Sequence, residues 1–545
     1  MDDVAESARP APQSAPRSAG PSPQATAPVP VQQSGMPRRT PSRRSSDERF
    51  DVAGKHVYLI GVGGCGMSGL ARMLKARGAI VSGSDSTPQD TTEALEAEGI
   101  RVGFDQSSGV LPEACDMVIA SAAIKPDHPQ WLTAEARGIP TMLYAEALGK
   151  CMIGRTGIAI AGTHGKSTTT AMLGAALTDA GLDPSVIVGA TCRQLVRGSL
   201  GTTNLMEAAG AGFRLGGLSI PGGLLRGKPG LLLAEACEFN RSFHNFRPTI
   251  AAITSVEADH LDVYGTLDAV VEAFAEFAAL LPPANEGGTL IIAHDGAHRR
   301  EVTAGLECKV ETIGFSPAAD WVIGYDGEAR QVSLSRNRQL LATWTCLIPG
   351  THNAFNSGVA MALALTAGAD AELVAKSLSQ FAGVDRRMQF LGEHVLPAFG
   401  VDAPRGVRVY DDYGHHPTEV EATLRALREF ERPQTRNGRL ICVFQPHQHS
   451  RTRFLLDEFA ASFSAADIVI VPHIYFVRDS IAEKTRVSAA DLVDRLRQRG
   501  VKAMHLYPFD AIVEQLQNLC RPGDVLAVMG AGPVWQVGKA FMESR

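Results

Sequence analysis

A chain of 545 residues is too long for one hydrophobic core, and at about 150 residues per domain it predicts three or four. Its 45% hydrophobic and 20% charged content is ordinary for a globular protein, and a net charge of -6 without basic clusters in the folded part argues against a nucleic-acid surface. Nine scattered cysteines without Cys-x-x-Cys or Cys/His ligand spacing exclude a disulfide scaffold, and no window approaches the roughly 20 apolar residues of a membrane span. The expectation is a cytoplasmic protein with reduced thiols, no membrane insertion and no nucleic-acid partner.

Residues 1–49 are rich in Pro, Ser, Ala, Gln and Arg and have no hydrophobic periodicity, so they are expected to form a disordered tail. Residues 50–151 open with the apolar run His56 to Ile60, then Gly61-Val62-Gly63-Gly64-Cys65-Gly66-Met67, then a helix-like stretch from Ser68 to Arg77. A second strand, Ala79 to Gly83, leads to Asp85. This is the pattern of a dinucleotide fold: glycines make the tight turn, a helix start faces a diphosphate, and an acidic residue about 20 positions on reaches a ribose. A Rossmann-like domain is therefore predicted, with further strands at Met117–Ala120 and Pro140–Leu143.

Residues 152–346 carry the strongest signal. The strand Gly157 to Ala161 is followed by Gly162-Thr163-His164-Gly165-Lys166-Ser167-Thr168 and an amphipathic segment from Thr169 to Ala180. Strand, glycine loop and helix make a phosphate cradle: glycines admit backbone N–H groups to an anion, Lys166 reaches the outer phosphates and Ser167 can ligate magnesium. Ile160 stands where the longer version of this loop has a glycine, which makes it a shortened variant. Two acidic stations follow, each at the end of an apolar run: Glu235-Ala236-Cys237-Glu238 and Glu257-Ala258-Asp259-His260-Leu261-Asp262. Ligands collect at the carboxyl ends of parallel strands, so both stations are expected beside the loop, and hard oxygen ligands near phosphate mean magnesium. Residues 203–230 read as a glycine-rich excursion at the sheet edge, and 289–345 as short β elements closing the domain.

Residues 347–545 predict a doubly wound α/β domain, with strands at Val407–Tyr410, Leu440–Phe444, Ile468–Val471 and Val525–Val528. Polar groups gather at its helix starts and strand ends: His352-Asn353 with Asn356, Arg386-Arg387, Asp411-Asp412-Tyr413-Gly414-His415-His416-Pro417, and Phe444-Gln445-Pro446-His447-Gln448-His449-Ser450-Arg451. Neighbouring histidines at a helix start point apart, so His415-His416 does not predict zinc.

Taken in order, the motifs Gly61–Gly69, Gly162–Thr168, Glu257–Asp262, His352-Asn353 with Asn356, Asp411–Pro417 and Phe444–His447 resemble the Mur ligase family from about residue 54 to about 535. The fold class this resemblance implies is α/β with three domains: an N-terminal Rossmann-like domain, a central P-loop mononucleotide-binding parallel sheet and a C-terminal doubly wound α/β domain. It further implies an ATP- and magnesium-dependent ligase of peptidoglycan precursor synthesis, and the fifth and sixth motifs favour the branch that joins L-alanine to the lactyl carboxylate of UDP-N-acetylmuramate through an acyl phosphate. Carried over residue by residue, Lys166, Glu235, His260 and Arg387 are the implied catalytic residues, and Ser167, Glu235 and His260 the magnesium ligands, with Glu238 in reserve. Gly162, Thr163, His164, Gly165, Lys166, Ser167, Thr168, Asn353, Asn356 and Asp412 are implied to hold the nucleotide. Gly61, Gly63, Gly64, Gly66, Met67, Asp85, Tyr413, His415, His447 and Arg451 are implied to hold the UDP-sugar and the amino acid. The family often has Arg-Tyr where Gln448-His449 stands here, which leaves Arg451 as the partner expected for the amino-acid carboxylate. A peptide-recycling ligase, a non-catalytic nucleotide-sugar-binding protein and an NAD oxidoreductase are the competing readings, and the last leaves the phosphate loop without a role.

Overall fold

The computed structural model describes residues 50–202, 210–396, 406–477 and 479–544. The tail expected over residues 1–49 lies outside the described residues, as does part of the glycine-rich excursion, 203–209.

Three sheets follow one another along the chain. The first has the strands β1 His56–Ile60, β2 Ile80–Ser84, β3 Arg101–Gly103, β4 Met117–Ala120 and β5 Thr141–Leu143, all parallel, in the order β3-β2-β1-β4-β5. The helix after β1 runs Cys65–Ala76 and buries Met67, Leu70, Met73 and Leu74 against the sheet. It begins three residues earlier than the sequence pattern suggests because Cys65 and Gly66 already take helical conformation.

The central sheet has ten strands. These are β6 Thr156–Ala161, β7 Ser185–Cys192, β8 Ala211–Arg214, β9 Leu231–Glu235, β10 Ile250–Ile253, β11 Thr289–Ala293, β12 Lys309–Gly314, β13 Trp321–Asp326, β14 Gln331–Arg336 and β15 Gln339–Thr345. Their order is β15-β14-β13-β12-β11-β10-β6-β9-β7-β8. From β13 to β7 neighbours are parallel; β14, β15 and β8 add antiparallel edges, so the sheet is mixed rather than parallel throughout. The parallel strands are apolar nearly end to end, as in Ile250-Ala251-Ala252-Ile253, because helices cover both faces.

The helix Lys166–Asp179 is buried from Ser167 through Leu177 rather than along one stripe. The helices Thr351–Thr366 and Ala371–Ser379 cover the side that would otherwise face solvent, so the amphipathic reading of Thr169–Ala180 does not hold. Asn356 thus reaches the phosphate loop at Gly165 from a helix packed on the central sheet, with Asn353 beside it in the first turn.

The third sheet has β16 Gln389–His394, β17 Val407–Asp412, β18 Leu440–Phe444, β19 Ile468–Val471, β20 Lys502–His505 and β21 Val525–Met529, in the order β16-β17-β21-β18-β19-β20. Only β16 runs antiparallel, and the rest form a doubly wound parallel sheet. One continuous core joins a face of the central sheet to a face of this one, from Ile158 and Leu233 through Phe381 to Phe444 and Val471. Each fully buried side chain of this size contributes roughly 1.5–3 kcal/mol, so the central and C-terminal sheets are held together by packing as well as by polar contacts.

Candidate functional site

β6 lies between β9 and β10, and the phosphate loop leaves its carboxyl end. Strand order reverses around β6, which opens a crevice of the kind that binds ligands in α/β sheets. Two glycines shape the loop. Gly162 has φ +138° and a Cβ there would overlap the Thr254 hydroxyl; Gly165 has φ +82° and a Cβ there would overlap Asn356 Oδ1. The segment after β10 fixes the rest: Thr163 N–H donates to the Ser255 carbonyl at 3.0 Å, His164 N–H to Ser255 Oγ at 3.0 Å, and Glu257 N–H to Thr163 Oγ1 at 2.9 Å. Gly165 caps the Lys166–Asp179 helix, so that helix's first turn, Lys166, Ser167 and Thr168, faces the cavity.

The two acidic stations stand where the strand ends put them. Glu235 closes β9; its Oε1 accepts from Ser167 Oγ at 3.0 Å and its Oε2 from Gly189 N–H at 2.9 Å. Lys166 Nζ donates to the Gly162 carbonyl at 2.5 Å and lies 2.9 Å from Glu238 Oε2. Burial opposes the Lys166 charge, yet Glu238 holds the ammonium above its usual range, while burial pushes the Glu238 carboxyl up against the pull of Lys166. His260, held at φ +52°, places Nε2 3.9 Å from Glu238 Oε1 and 3.7 Å from Asp259 Oδ2. Burial, with help from Arg451 and Lys166 and against Asp259, lowers His260 to about 3, so its imidazole is neutral at pH 7, the form a metal needs. Ligand atoms of Glu238, Asp259 and His260 lie within 4.8 Å of one another. The structure therefore groups His260 with Glu238 and groups Ser167 with Glu235. Together these donors are mostly carboxylate and hydroxyl oxygens beside a phosphate cradle, a set that fits magnesium.

The third sheet covers this crevice. Arg387 lies between two residues in left-handed conformation, Arg386 at φ +58° and Met388 at φ +47°, and its guanidinium sits 5.0 Å from the centre of the Tyr413 ring. Asp412, at the end of β17, accepts from Met388 N–H at 2.8 Å and Gly414 N–H at 2.6 Å. Burial raises it to about 6 against the pull of Arg387 and those two donors. Asn353 Nδ2 donates to the Pro349 carbonyl at 2.9 Å, and its Oδ1 lies 3.4 Å from Asn356 Nδ2. Tyr413, His415 and His447 form a wall of rings, with centroids 5.4 Å and 5.5 Å apart in sequence. Arg451 is buried, and its Nη2 donates to Asp259 Oδ1 at 2.6 Å while Nη1 faces His447 Nδ1 at 3.3 Å. The expected carboxylate partner is thus already paired to a central-domain acid.

In the first sheet, the Gly61–Met67 loop is tied to β2: Gly61 and Val62 N–H donate to the Ser84 carbonyl, and Gly63 N–H to Asp85 Oδ2 at 2.8 Å. Asp85 is buried as a brace for the loop. Gly64 starts the helix, and a Cβ on Gly66 would lie 2.7 Å from the Tyr144 hydroxyl. Met67 sits in the core, 4% exposed. Burial raises the Cys65 thiol, with a smaller contribution from the charge of Glu235.

Sequence reasoning placed Glu257 and Asp259 in an acidic station beside the loop but did not anticipate their ion pairs, and it gave no role to Glu419; the structure puts all three at the seam. His164 lies 3.4 Å from Glu257 and 3.3 Å from Glu419, and Thr418 Oγ1 donates to Glu257 at 2.7 Å. The signal for Glu419 was legible: it stands three residues after the helix cap His416 and closes a capping box.

Comparison with known proteins gives three consecutive family matches: the Mur ligase family catalytic domain over residues 56–156, the Mur ligase middle domain over 160–364, and the Mur ligase glutamate ligase domain over 386–532. The UDP-N-acetylmuramate–L-alanine ligase of Agathobacter rectalis is 36% identical over 493 residues, covering 90% of this chain and 98% of that protein. The protein of the same name from Mycobacterium sp. strain JLS is 38% identical over 500 residues, covering 89% and 94%. Among solved structures, the UDP-N-acetylmuramate-alanine ligase of Thermotoga maritima superposes with a TM-score of 0.69 at 22% identity, over 90% of this chain and 98% of that one. A murein peptide ligase from Psychrobacter arcticus gives 0.65 at 24% identity, again over 90% and 98%. Three family domains in the family's order, over most of the chain, settle the relationship: this chain belongs to the Mur ligase family.

Proposed function

We propose that this chain is an ATP-dependent carbon–nitrogen ligase that joins L-alanine to the lactyl carboxylate of UDP-N-acetylmuramate, a step of peptidoglycan precursor synthesis in the cytoplasm. The observation that carries the reading is the crevice at β6, where Lys166, Ser167, Glu235 and His260 meet the Arg387 and Asp412 of the overlying sheet. The proposed division of labour gives the UDP-sugar to residues 50–151, ATP to 152–346, and the nucleotide's outer face with the amino acid to 347–545.

A carboxylate is a poor electrophile, and it must approach another anion before it can be activated. The chain's residues address that repulsion. Loop N–H groups and the helix start hold the phosphates, and Lys166 and Arg387 place positive charge on either side of the phosphoryl group in transfer. The lactyl carboxylate oxygen takes the γ-phosphoryl group as the bond to ADP breaks. The alanine amine then attacks the acyl carbon, the tetrahedral adduct collapses, and phosphate leaves with the electron pair of the broken C–O bond. Magnesium, when bound by Ser167 with Glu235 or with Glu238 and His260, supplies further charge neutralisation at the phosphates. Asn353 and Asn356 line the nucleotide side, and the ring wall of Tyr413, His415 and His447 shields the acyl centre from water. Because Arg451 is paired to Asp259, its part in amino-acid binding is through Nη1 and the neighbouring His447.

Phosphate release is the test. With UDP-N-acetylmuramate and ATP present, L-alanine is expected to drive turnover at least tenfold above glycine, L-serine and the L-alanyl-D-glutamyl-diaminopimelate tripeptide. Preferential use of the tripeptide would replace this reading with a recycling ligase, and no amino-acid-dependent release at all would favour a binding protein.

A further inference from the structure

One anion in the phosphate cavity has no part in the scheme above. Glu419 lines that cavity with Lys166, Ser167, Glu235 and Arg387, where a polyphosphate would meet it as a like charge. Its two oxygens do different things. Oε2 is fixed by the backbone, accepting from His415 N–H at 2.9 Å and His416 N–H at 3.2 Å in the capping box of the helix Pro417–Glu431. Oε1 is therefore aimed, and it lies between two cationic groups of different origin: His164 Nδ1 of the phosphate loop at 3.3 Å and Arg387 Nη1 at 3.7 Å. The Glu419 side chain is 15% exposed, so these contacts are poorly screened. Arg387 also lies over the face of Tyr413 and feels the charges of Asp412 and Glu235, but Glu419 is the carboxylate that faces its Nη1 at 3.7 Å.

We infer that Glu419 is a positioning residue that stands in for a phosphate: it pre-aims Arg387 and His164 over the phosphate cradle and gives them up to the incoming polyphosphate. The inference rests on the nucleotide reading above and deepens it. A fixed carboxylate in this place has two opposed effects. It orients the arginine, which favours turnover, and it competes with phosphate for that arginine, which weakens nucleotide binding.

That opposition makes the test specific. Glu419→Gln keeps an oxygen for the capping box and removes the charge. In the full chain, ADP affinity measured by calorimetry is expected to tighten at least threefold in E419Q, while kcat falls at least tenfold and the circular dichroism spectrum at 25 °C is unchanged, which shows that the variant is folded. A residue with only a structural role would weaken binding when changed, so ADP affinity that is unchanged or weaker overturns the inference, as does an unchanged kcat. Glu419→Asp retains the charge but draws it back from Arg387; it is expected to lower kcat with ADP affinity within twofold of the unaltered chain, and tightening equal to that of E419Q would also overturn the inference. Failure of the unaltered chain to bind ADP would instead defeat the nucleotide reading itself.

Discussion

His164 shows how far a single side chain can depart from what its place in a motif suggests. In the sequence it is a phosphate-loop residue implied to hold the nucleotide; in the structure it is held between Glu257 and Glu419, with its ring tilted 45° to that of His416 at 4.9 Å between centroids. Burial works against its charge, but the two carboxylates outweigh it and raise His164 to about 9, above the usual 6.5. A raised folded-state value means the charged form stabilises the fold in full below about pH 6.5, and that contribution is lost as pH climbs through about 9. The unfolding midpoint is therefore expected to fall between pH 7 and 9.5, and to fall less in His164→Asn; equal slopes in the two proteins would refute the assignment. Lys166 belongs to the same scale. Its ammonium is desolvated and paired with Glu238, so Lys166→Ala leaves a buried, unpaired carboxylate as well as an uncovered phosphate site. Turnover in K166A is expected to drop at least a thousandfold while UDP-N-acetylmuramate still binds in calorimetry, because the proposed sugar site lies on the first sheet; turnover within tenfold of the unaltered chain would contradict the role given to this lysine.

At the scale of elements, the strand–loop–helix units were legible because their glycines and apolar runs are local signals. The Gly61 and Gly162 loops, the acids at the ends of β9 and β10 and the strands β17, β18, β19 and β21 of the third sheet stand where the sequence puts them, to within a few residues, whereas the edge strands β16 and β20 were not anticipated. What was not legible depends on distant partners. The helix Lys166–Asp179 carries polar residues such as Thr169 and Thr170 at fully buried positions, so its pattern hides that both sides are covered. Asp85 reads as a ribose ligand by spacing, yet its carboxylate braces Gly63, a contact that spacing alone cannot distinguish. The loop's need for glycine gives an element-scale expectation. Gly165→Ala would strain a left-handed residue and press a methyl into Asn356, so ADP affinity should fall at least tenfold and the unfolding midpoint by several degrees. An unchanged midpoint and affinity would mean the loop tolerates a conformation other than the one seen.

For the whole molecule, the seam between the central and C-terminal sheets matters most, since it assembles the site from two layers. Arg451 and Asp259, 6% and 9% exposed, form its buried ion pair, and His416 Nε2 reaches the Ala258 carbonyl at 3.2 Å beside it. Breaking such a pair by removing one partner costs about 3–5 kcal/mol, more than exchanging both for apolar residues. Arg451→Ala is accordingly expected to lower the unfolding midpoint further than the double change Arg451→Met with Asp259→Leu, and equal losses would show that the pair is not coupled. None of this pairing could be read from sequence, because 192 positions separate its partners. In the proposed mechanism this two-layered site phosphorylates a carboxylate and passes the acyl group to L-alanine. The most direct measurement uses UDP-N-acetylmuramate with oxygen-18 in its lactyl carboxylate, together with ATP and L-alanine. One labelled oxygen is expected in each phosphate released, together with a product heavier by one alanyl residue; phosphate released without label, or no alanyl product, would contradict the acyl-phosphate mechanism.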